Sequence, residues 1–307
     1  INMVVFMLYE IKETKCVSAC NKVKGGFPYL WDLNVYRGCG HGCKYCFALY
    51  THKYIKSNDF FNEIYVKINI VESLEKLLRS KSWKGEPINL GGVTDNYQPI
   101  EKKYEIMPEI WKLLIKYKNP CTISTKSDLI LRDFDLINQL AEMTYVNVAS
   151  TITGIDENIR KKIEPNGVSY ERRFDMLKAF KNTKVNTGLH IMPVIPYLTD
   201  SYENLNGLFE YGKEAGVDYA IVQALNLRGD TKTVFMSFIR KEYPKIYDRL
   251  MDMYKTGYAP KEYRMKLAEE TSKLMKKYGI NENYMEVFRQ RYTKQKKDDF
   301  VQLSLFD

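Results

Sequence analysis

Apolar residues along this chain fall into two alternating rhythms. Over 71–79 they recur at helical spacing, with Val71, Leu74, Leu77 and Leu78 on one face. Residues 88–90, Ile-Asn-Leu, then read as a short strand ending in Gly91-Gly92. The exchange repeats as a helix over 104–117 that aligns Ile106, Ile110, Leu113 and Leu114, and a strand over 122–125. A helix over 133–143 and a strand over 145–150 follow. Ser169 suits the N-cap of a helix running to Phe180, with Arg172 where a capping box would hold Glu. A strand over 186–192, a helix over 202–215 stopped by Gly216, and a strand over 219–223 complete the series. Leu33-Asn34-Val35-Tyr36 supplies a strand ahead of it all.

With that first strand there are six, short of the eight of a closed barrel. The alternation predicts an α/β fold whose strands are parallel and joined by right-handed crossovers. Pattern alone leaves an open, doubly wound sheet as the alternative to a barrel. After Gly229 the strands stop, and 231–279 reads as helical, broken at Pro244 and Pro260. Residues 231–300 hold 17 basic and 10 acidic side chains, so this part carries +7 of the formal net charge of +9. A solvated basic face and a surface turned toward nucleic acid both fit that excess. The expected division is an α/β domain with an N-terminal extension over 1–230, a basic helical cap over 231–293 and a mobile tail over 294–307. Residues 3–8 read as a buried or flanking strand, too short and without the basic lead-in of a signal peptide. Gly25-Gly26-Phe27-Pro28 marks a turn. No run of about twenty apolar residues is present, so no membrane-spanning helix is expected.

Chemistry concentrates in Cys39-Gly40-His41-Gly42-Cys43-Lys44-Tyr45-Cys46. Thiolates are the preferred ligands of iron–sulfur clusters, and a [4Fe–4S] cube takes one ligand per iron. Cys39, Cys43 and Cys46 would leave the fourth iron open to a small molecule. Gly38, Gly40 and Gly42 suit a loop bent tightly around an inorganic core, and Tyr45 is placed to shield it. The alternative is tetrahedral zinc on the three cysteines and His41. His41 lies between the first two cysteines, where reach around a shared ion is poor, and no second Cys/His pair follows at finger spacing. Cys16 and Cys20 are too few for an auxiliary cluster and read as packing residues. Cys121 sits at the amino end of its strand and reads as core. Thiols clustered at ligand spacing in a long chain do not resemble a disulfide framework, and they point to a reducing cytoplasm.

The octet resembles the cluster motif of the radical S-adenosylmethionine (radical SAM) superfamily. That resemblance implies a partial (β/α)6 barrel with a C-terminal helical extension. It also implies a [4Fe–4S] cluster on Cys39, Cys43 and Cys46, and SAM chelated to the open iron and cleaved to a 5′-deoxyadenosyl radical. An electron donor such as flavodoxin or ferredoxin is then required. Ligands of parallel α/β folds bind at the carboxyl ends of strands. There stand Gly91-Gly92-Val93-Thr94-Asp95-Asn96-Tyr97-Gln98-Pro99, Ser124-Thr125-Lys126-Ser127, Ser150-Thr151, His190 and Gln223. Lys126 would meet the SAM carboxylate as a point charge, and Thr94 and Ser150 its amino group or ribose. Gly91 and Gly92 would let backbone approach the ligand, and Tyr45 would border it.

The likeness narrows further. Asn34-Val35-Tyr36-Arg37-Gly38 before the octet, Thr51-His52, the loop 91–101, Thr125-Lys126-Ser127, Glu164-Pro165 and Arg172-Arg173 resemble the spore photoproduct lyase-like group. In its namesake the radical repairs a thymine dimer in DNA. Two departures stand out. Gly92 holds the place of the lyase's hydrogen-donating cysteine, and Phe47 replaces the second of two tyrosines around the third cluster cysteine. Another substrate, or a different donor such as a tyrosine, is therefore expected, with Tyr45 and Tyr97 as the catalytic candidates. The last residues, Gln302-Leu303-Ser304-Leu305-Phe306, resemble the peptide with which bacterial polymerases and repair proteins bind the sliding clamp. These features together predict a radical SAM enzyme acting on nucleic acid, in DNA repair or base modification. The competing readings are a radical SAM enzyme acting on a peptide, tRNA or small metabolite, and a non-enzymatic iron–sulfur protein of DNA or the clamp.

Overall fold

The computed structural model describes residues 9–24, 29–55, 57 and 59–292. The run 3–8, the turn 25–28 and the tail with Gln302, Leu303, Leu305 and Phe306 lie outside the described residues. The chain opens with β1 (Glu10–Thr14), β2 (Cys20–Lys22), β3 (Trp31–Leu33) and β4 (Tyr36–Arg37). A 3-10 helix (Phe47–Ile55), β5 (Glu63–Lys67), α1 (Ile70–Leu78) and β6 (Ile88–Leu90) follow. Then come α2 (Glu101–Tyr104), α3 (Ile106–Lys116), β7 (Cys121–Thr125), a 3-10 turn (Asp128–Asp133), α4 (Phe134–Met143) and β8 (Val146–Thr151). The remaining elements are α5 (Glu157–Ile163), α6 (Tyr170–Ala179), β9 (Asn186–Val194), α7 (Tyr202–Ala215), β10 (Tyr219–Ala224), α8 (Asp230–Glu242), α9 (Pro244–Met253) and α10 (Lys261–Tyr278).

The main sheet runs β10-β9-β8-β7-β6-β3-β2. Six of its strands are parallel, and β2 is antiparallel to β3. This is the mixed α/β architecture of a partial barrel with a helical C-terminal region. The first strand differs from expectation. Instead of one strand over 33–36, β3 lies in the main sheet and β4 pairs antiparallel with β5 in a second sheet, β1-β5-β4. Asn34 turns the chain between them, its side chain bonded to Asp32 at 2.6 Å and to the Val93 N–H at 3.0 Å.

The predicted helix over 104–117 is likewise divided. Pro108 cannot follow a continuous helix, because its ring would press on the Tyr104 carbonyl. The chain instead passes through Glu105 at φ +48° before α3 begins. Elsewhere the local signals hold. Ser169 caps α6 by accepting from Arg172 N, and Gly216 ends α7 at φ +74°.

Side chains alternate across each strand. Leu33, Ile88, Leu90, Ile123, Val146 and Val148 face the helices and form one apolar core with them. The opposite parity is polar and faces the barrel interior. There Asn89 donates to Asp32 at 2.8 Å, Asn147 to Thr122 at 2.9 Å and Asn186 to Asn147 at 2.7 Å. Residues 284–292 are helical and cover the amino ends of the strands: Tyr284 stacks on Tyr219 at 4.5 Å, and Phe288 meets Tyr145 edge-on at 5.1 Å. The carboxyl ends therefore remain for chemistry. No helix among the described residues is long and apolar enough to cross a membrane.

Candidate functional site

The loop carrying the three cysteines leaves β4, and its backbone is tied down by hydrogen bonds from distant segments. Gly38 and Gly42 take φ +84° and +70°, which L side chains resist. The Gln98 amide accepts from Gly40 N at 2.8 Å and donates to the Gly38 carbonyl at 3.2 Å. From the other side Asn166 donates to the Gly40 carbonyl at 2.7 Å, and Lys44 N donates to Ile163 O at 2.9 Å. The loop after β6 and the end of α5 with its following turn thus grip one loop between them.

His41 lies at the centre of this grip. Its Nε2 is 3.0 Å from Asp95 Oδ2 and its Nδ1 3.3 Å from the Asn166 carbonyl. Asp95 also accepts from Thr125 Oγ1 and Lys126 N, both at 2.8 Å, and from Tyr97 N at 2.9 Å. Burial alone would raise the Asp95 pKa; His41 and these donors outweigh it and hold the carboxyl at about 2.

Cys39 and Cys43 are buried and Cys46 is half-buried. Burial pushes each thiol up to about 12. Cys46 packs against both the apolar cluster that holds Cys43 and the one that holds Cys39, so the three thiols border one space. A coordinating metal removes such protons outright. Both His41 nitrogens are turned to acceptors outside that space, which is unlike a zinc ligand. No group of three or more His, Cys, Asp or Glu among the described residues is placed to hold one ion. A cubane has a separate thiolate on each of three irons, so its ligands stand apart. The thiols and the loop geometry fit a three-cysteine cluster.

Lys126 follows β7 with interior parity, its ammonium 5.8 Å from the centre of the Tyr45 ring. Burial opposes its charge, but Cys43, Glu164 and Asp95 outweigh that and raise its pKa, keeping it a cation. The Tyr45 hydroxyl donates to Glu164, a fully buried carboxylate paired with the fully buried Arg173. Burial would raise Glu164, yet Arg173 and Lys126 hold it below the usual carboxylate range. Arg173 is fixed in turn by the carbonyls of Thr151 at 2.9 Å and Val168 at 3.0 Å.

The structure brings Cys39, Cys43, Cys46, Tyr45 and Lys126 together but treats other expected residues differently. Thr94 lies beside the loop, with its hydroxyl donating to Gly38 O at 2.6 Å, so it holds the loop. Ser150 shares the parity of Val146 and Val148 and lies on the helix side, where it donates to Thr125 O at 2.8 Å. The Tyr97 phenol is fully buried, donates to Asp133 at 2.7 Å and accepts from Trp111 at 2.6 Å, in the sheet–helix core. Gly91 takes φ +98°. Gly92 N donates to Asp32 at 2.9 Å, and a Cβ at position 92 would fall 2.4 Å from Asp32 Oδ2. Cys16 approaches Ser73 at 3.6 Å, while Cys20 and Cys121 are buried in strands. Asn166 and Asp32 had no motif to flag them, and Gln98 lay in the quoted loop 91–101 without a role.

The radical SAM superfamily pattern matches residues 33–207. An uncharacterised protein of Mycobacterium tuberculosis is 35% identical over 274 residues, 87% of this chain and 81% of the relative. One from Methanocaldococcus jannaschii is 32% identical over 240 residues, 78% of this chain and 86% of the relative. Among solved structures, a spore photoproduct lyase double mutant with bound AdoMet and dinucleoside spore photoproduct superposes with a TM-score of 0.65. It has 12% identity, with 87% of this chain and 78% of that chain covered. The chain belongs to the radical SAM superfamily. It is a radical SAM enzyme whose fold is similar to that of spore photoproduct lyase.

Proposed function

We propose that Cys39, Cys43 and Cys46 hold a [4Fe–4S] cluster, that Lys126 receives the carboxylate of SAM, and that the substrate is a nucleic acid, DNA above all. The observation that carries this is the shared space of the three thiols beside the Lys126 cation. When bound, the cluster supplies the electron that cleaves SAM to methionine and a 5′-deoxyadenosyl radical, which takes hydrogen from the substrate. The chain's own residues keep this site in shape and dry. Asp95 and His41 fix the loop, Tyr45 covers it, and the Glu164–Arg173 pair fixes Tyr45. Lys126 is a buried point charge for an anionic ligand.

The DNA assignment rests on the likeness to the lyase, on the basic residues of 231–300 and on the terminal Gln302, Leu303, Leu305 and Phe306, which we read as a sliding-clamp peptide. The reaction differs from the lyase's, because Gly92 carries no thiol and Asp32 fills the space one would need. Cytoplasmic location and an electron donor of the flavodoxin or ferredoxin kind belong to the same reading. Oligonucleotides deuterated at base and sugar positions test it: deuterium should appear in the 5′-deoxyadenosine released. SAM cleavage with no transfer from any DNA or RNA, lesion-bearing or not, would move the substrate to a peptide or small metabolite.

A further inference from the structure

Deep in the barrel the polar side chains satisfy one another: Asn186 donates to Asn147, Asn147 to Thr122 and Asn89 to Asp32. The layer nearest Lys126 does not close in this way. Ser124 and Lys126 stand two residues apart on the inner face of β7 and its carboxyl end, and both are half-buried. Behind Ser124, His190 of β9 places Nδ1 3.1 Å from the Ser124 hydroxyl and Nε2 3.2 Å from the Tyr219 hydroxyl. The Tyr219 ring is fixed in turn. Gly188 makes room for it, since a Cβ there would fall 2.3 Å from the ring, and Tyr284 stacks on it at 4.5 Å.

Counting hydrogens gives this chain of bonds a direction. The Tyr219 phenol is fully buried, and burial keeps it protonated by raising its pKa. Asn147 faces the phenol as a donor, its oxygen already bonded by Asn186. A buried hydroxyl hydrogen needs an acceptor, so Tyr219 donates to His190 Nε2. The imidazole is neutral at neutral pH, because burial and the Lys126 charge lower its pKa to about 4. Its one proton therefore sits on Nδ1 and is donated to the Ser124 oxygen. The Ser124 hydrogen is then left over, and it has no acceptor among the described residues.

We propose that Ser124 donates this hydrogen to the carboxylate of SAM beside Lys126, and that His190, oriented by Tyr219, is the positioning residue that keeps the hydrogen free for it. The inference rests on the reading of Lys126 as the partner of that carboxylate. Lys126 supplies charge with little direction. Ser124 supplies a directed donor, and a hydrogen bond to an ionised acceptor is among the stronger ones. An apolar side chain would fill the space of His190 without titrating, so the donor at Nδ1 is what the imidazole adds.

Equilibrium dialysis of oxygen-free, cluster-loaded protein, without reductant, compares SAM with decarboxylated SAM. Ser124→Ala and His190→Leu should each weaken SAM binding about tenfold, the worth of one bond to a charged group. Their affinity for decarboxylated SAM should stay at the unsubstituted value. His190→Asn, whose amide N–H can stand where Nδ1–H stood, should keep the affinity for SAM. A merely structural role would weaken both ligands alike. Equal losses for the two ligands, or none for either, would therefore overturn the proposal, as would His190→Asn failing like His190→Leu. Lys126→Met separates the proposal from the reading beneath it. If Lys126→Met weakens SAM alone and Ser124→Ala does not, the Ser124 assignment falls by itself. If Lys126→Met treats both ligands alike, the carboxylate reading of Lys126 falls and takes the proposal with it.

Discussion

The imidazole of His41 stands 3.0 Å from the carboxylate of Asp95, 54 residues further along the chain. That contact joins the cysteine loop to the carboxyl ends of β6 and β7, because the same carboxylate also holds Thr125 and the Lys126 backbone. Asp95→Asn keeps the size but leaves a neutral amide whose N–H2 faces several donors. A broken charge-assisted network of this kind costs ~2–3 kcal/mol. The variant should unfold at lower urea concentration and retain less iron after desalting. Unchanged iron content would show that His41 and Asp95 do not shape the loop.

Position 92 offers a steric test. The Asp32 carboxylate is fixed by Asn34, Asn89 and the Gly92 N–H, so it cannot swing away freely from a new Cβ. Gly92→Ala should cost ~1–3 kcal/mol as an overpacked site. Adding Asp32→Ala should recover part of that loss, a non-additivity expected only of groups in contact. A double-mutant cycle in urea measures it, and strict additivity would contradict the clash. The same clash means that Gly92→Cys alone should not install a lyase-type thiol without loss of stability.

The Glu164–Arg173 pair is fully buried. Arg173→Ala leaves an uncompensated carboxylate beside Tyr45 and should destabilise by ~3–5 kcal/mol, whereas removing both partners should cost less than the sum of the single changes. Denaturation of both single variants and the double variant gives the answer. If Arg173→Ala were neutral, the pair would not support the Tyr45 wall.

Stability should also depend on His190, which lies inside the barrel between Ser124 at 3.1 Å and Tyr219 at 3.2 Å. Burial, helped by the Lys126 charge, lowers its pKa to about 4. The folded chain then binds fewer protons than the unfolded one between pH 6.5 and about 4, so acidification across that window favours unfolding by as much as ~3 kcal/mol. Above pH 6.5 the imidazole is neutral in both states and the effect vanishes. His190→Asn should flatten this part of the stability–pH curve, as urea titrations from pH 4 to 8 will record.

Much of this scaffold could be read from residue order, because its signals are local. Apolar period separates 202–215 from 219–224, Gly216 stops one helix, and Pro244 and Pro260 fall where α9 and α10 begin. The cysteine loop announces itself by spacing. What holds that loop does not: Asn166 reaches Gly40 across 126 residues and Gln98 reaches it across 58, through single amides whose partners no period or motif shows. The face that Ser150 takes was hidden for a related reason. Nearness to a strand's carboxyl end says nothing of which face a side chain takes, and one residue of parity sends it to the helices. The second sheet escaped notice because β4 has only two residues and pairs with β5 far downstream.

The terminal peptide makes an independent prediction. Deleting residues 302–307 should abolish capture by an immobilised bacterial sliding clamp and leave SAM cleavage unaltered. Capture that persists would remove the clamp from the account.

The central claim is a cube on Cys39, Cys43 and Cys46 with one iron left open for SAM. Its most direct measurement is Mössbauer and electron paramagnetic resonance spectroscopy on oxygen-free, reconstituted protein before and after adding SAM, with 5′-deoxyadenosine assayed in the same samples. The predicted result is a [4Fe–4S] signal in which SAM perturbs a single iron, with deoxyadenosine released under reduction and both lost in Cys43→Ala. Bound zinc, or a cluster indifferent to SAM that never yields deoxyadenosine, would contradict it.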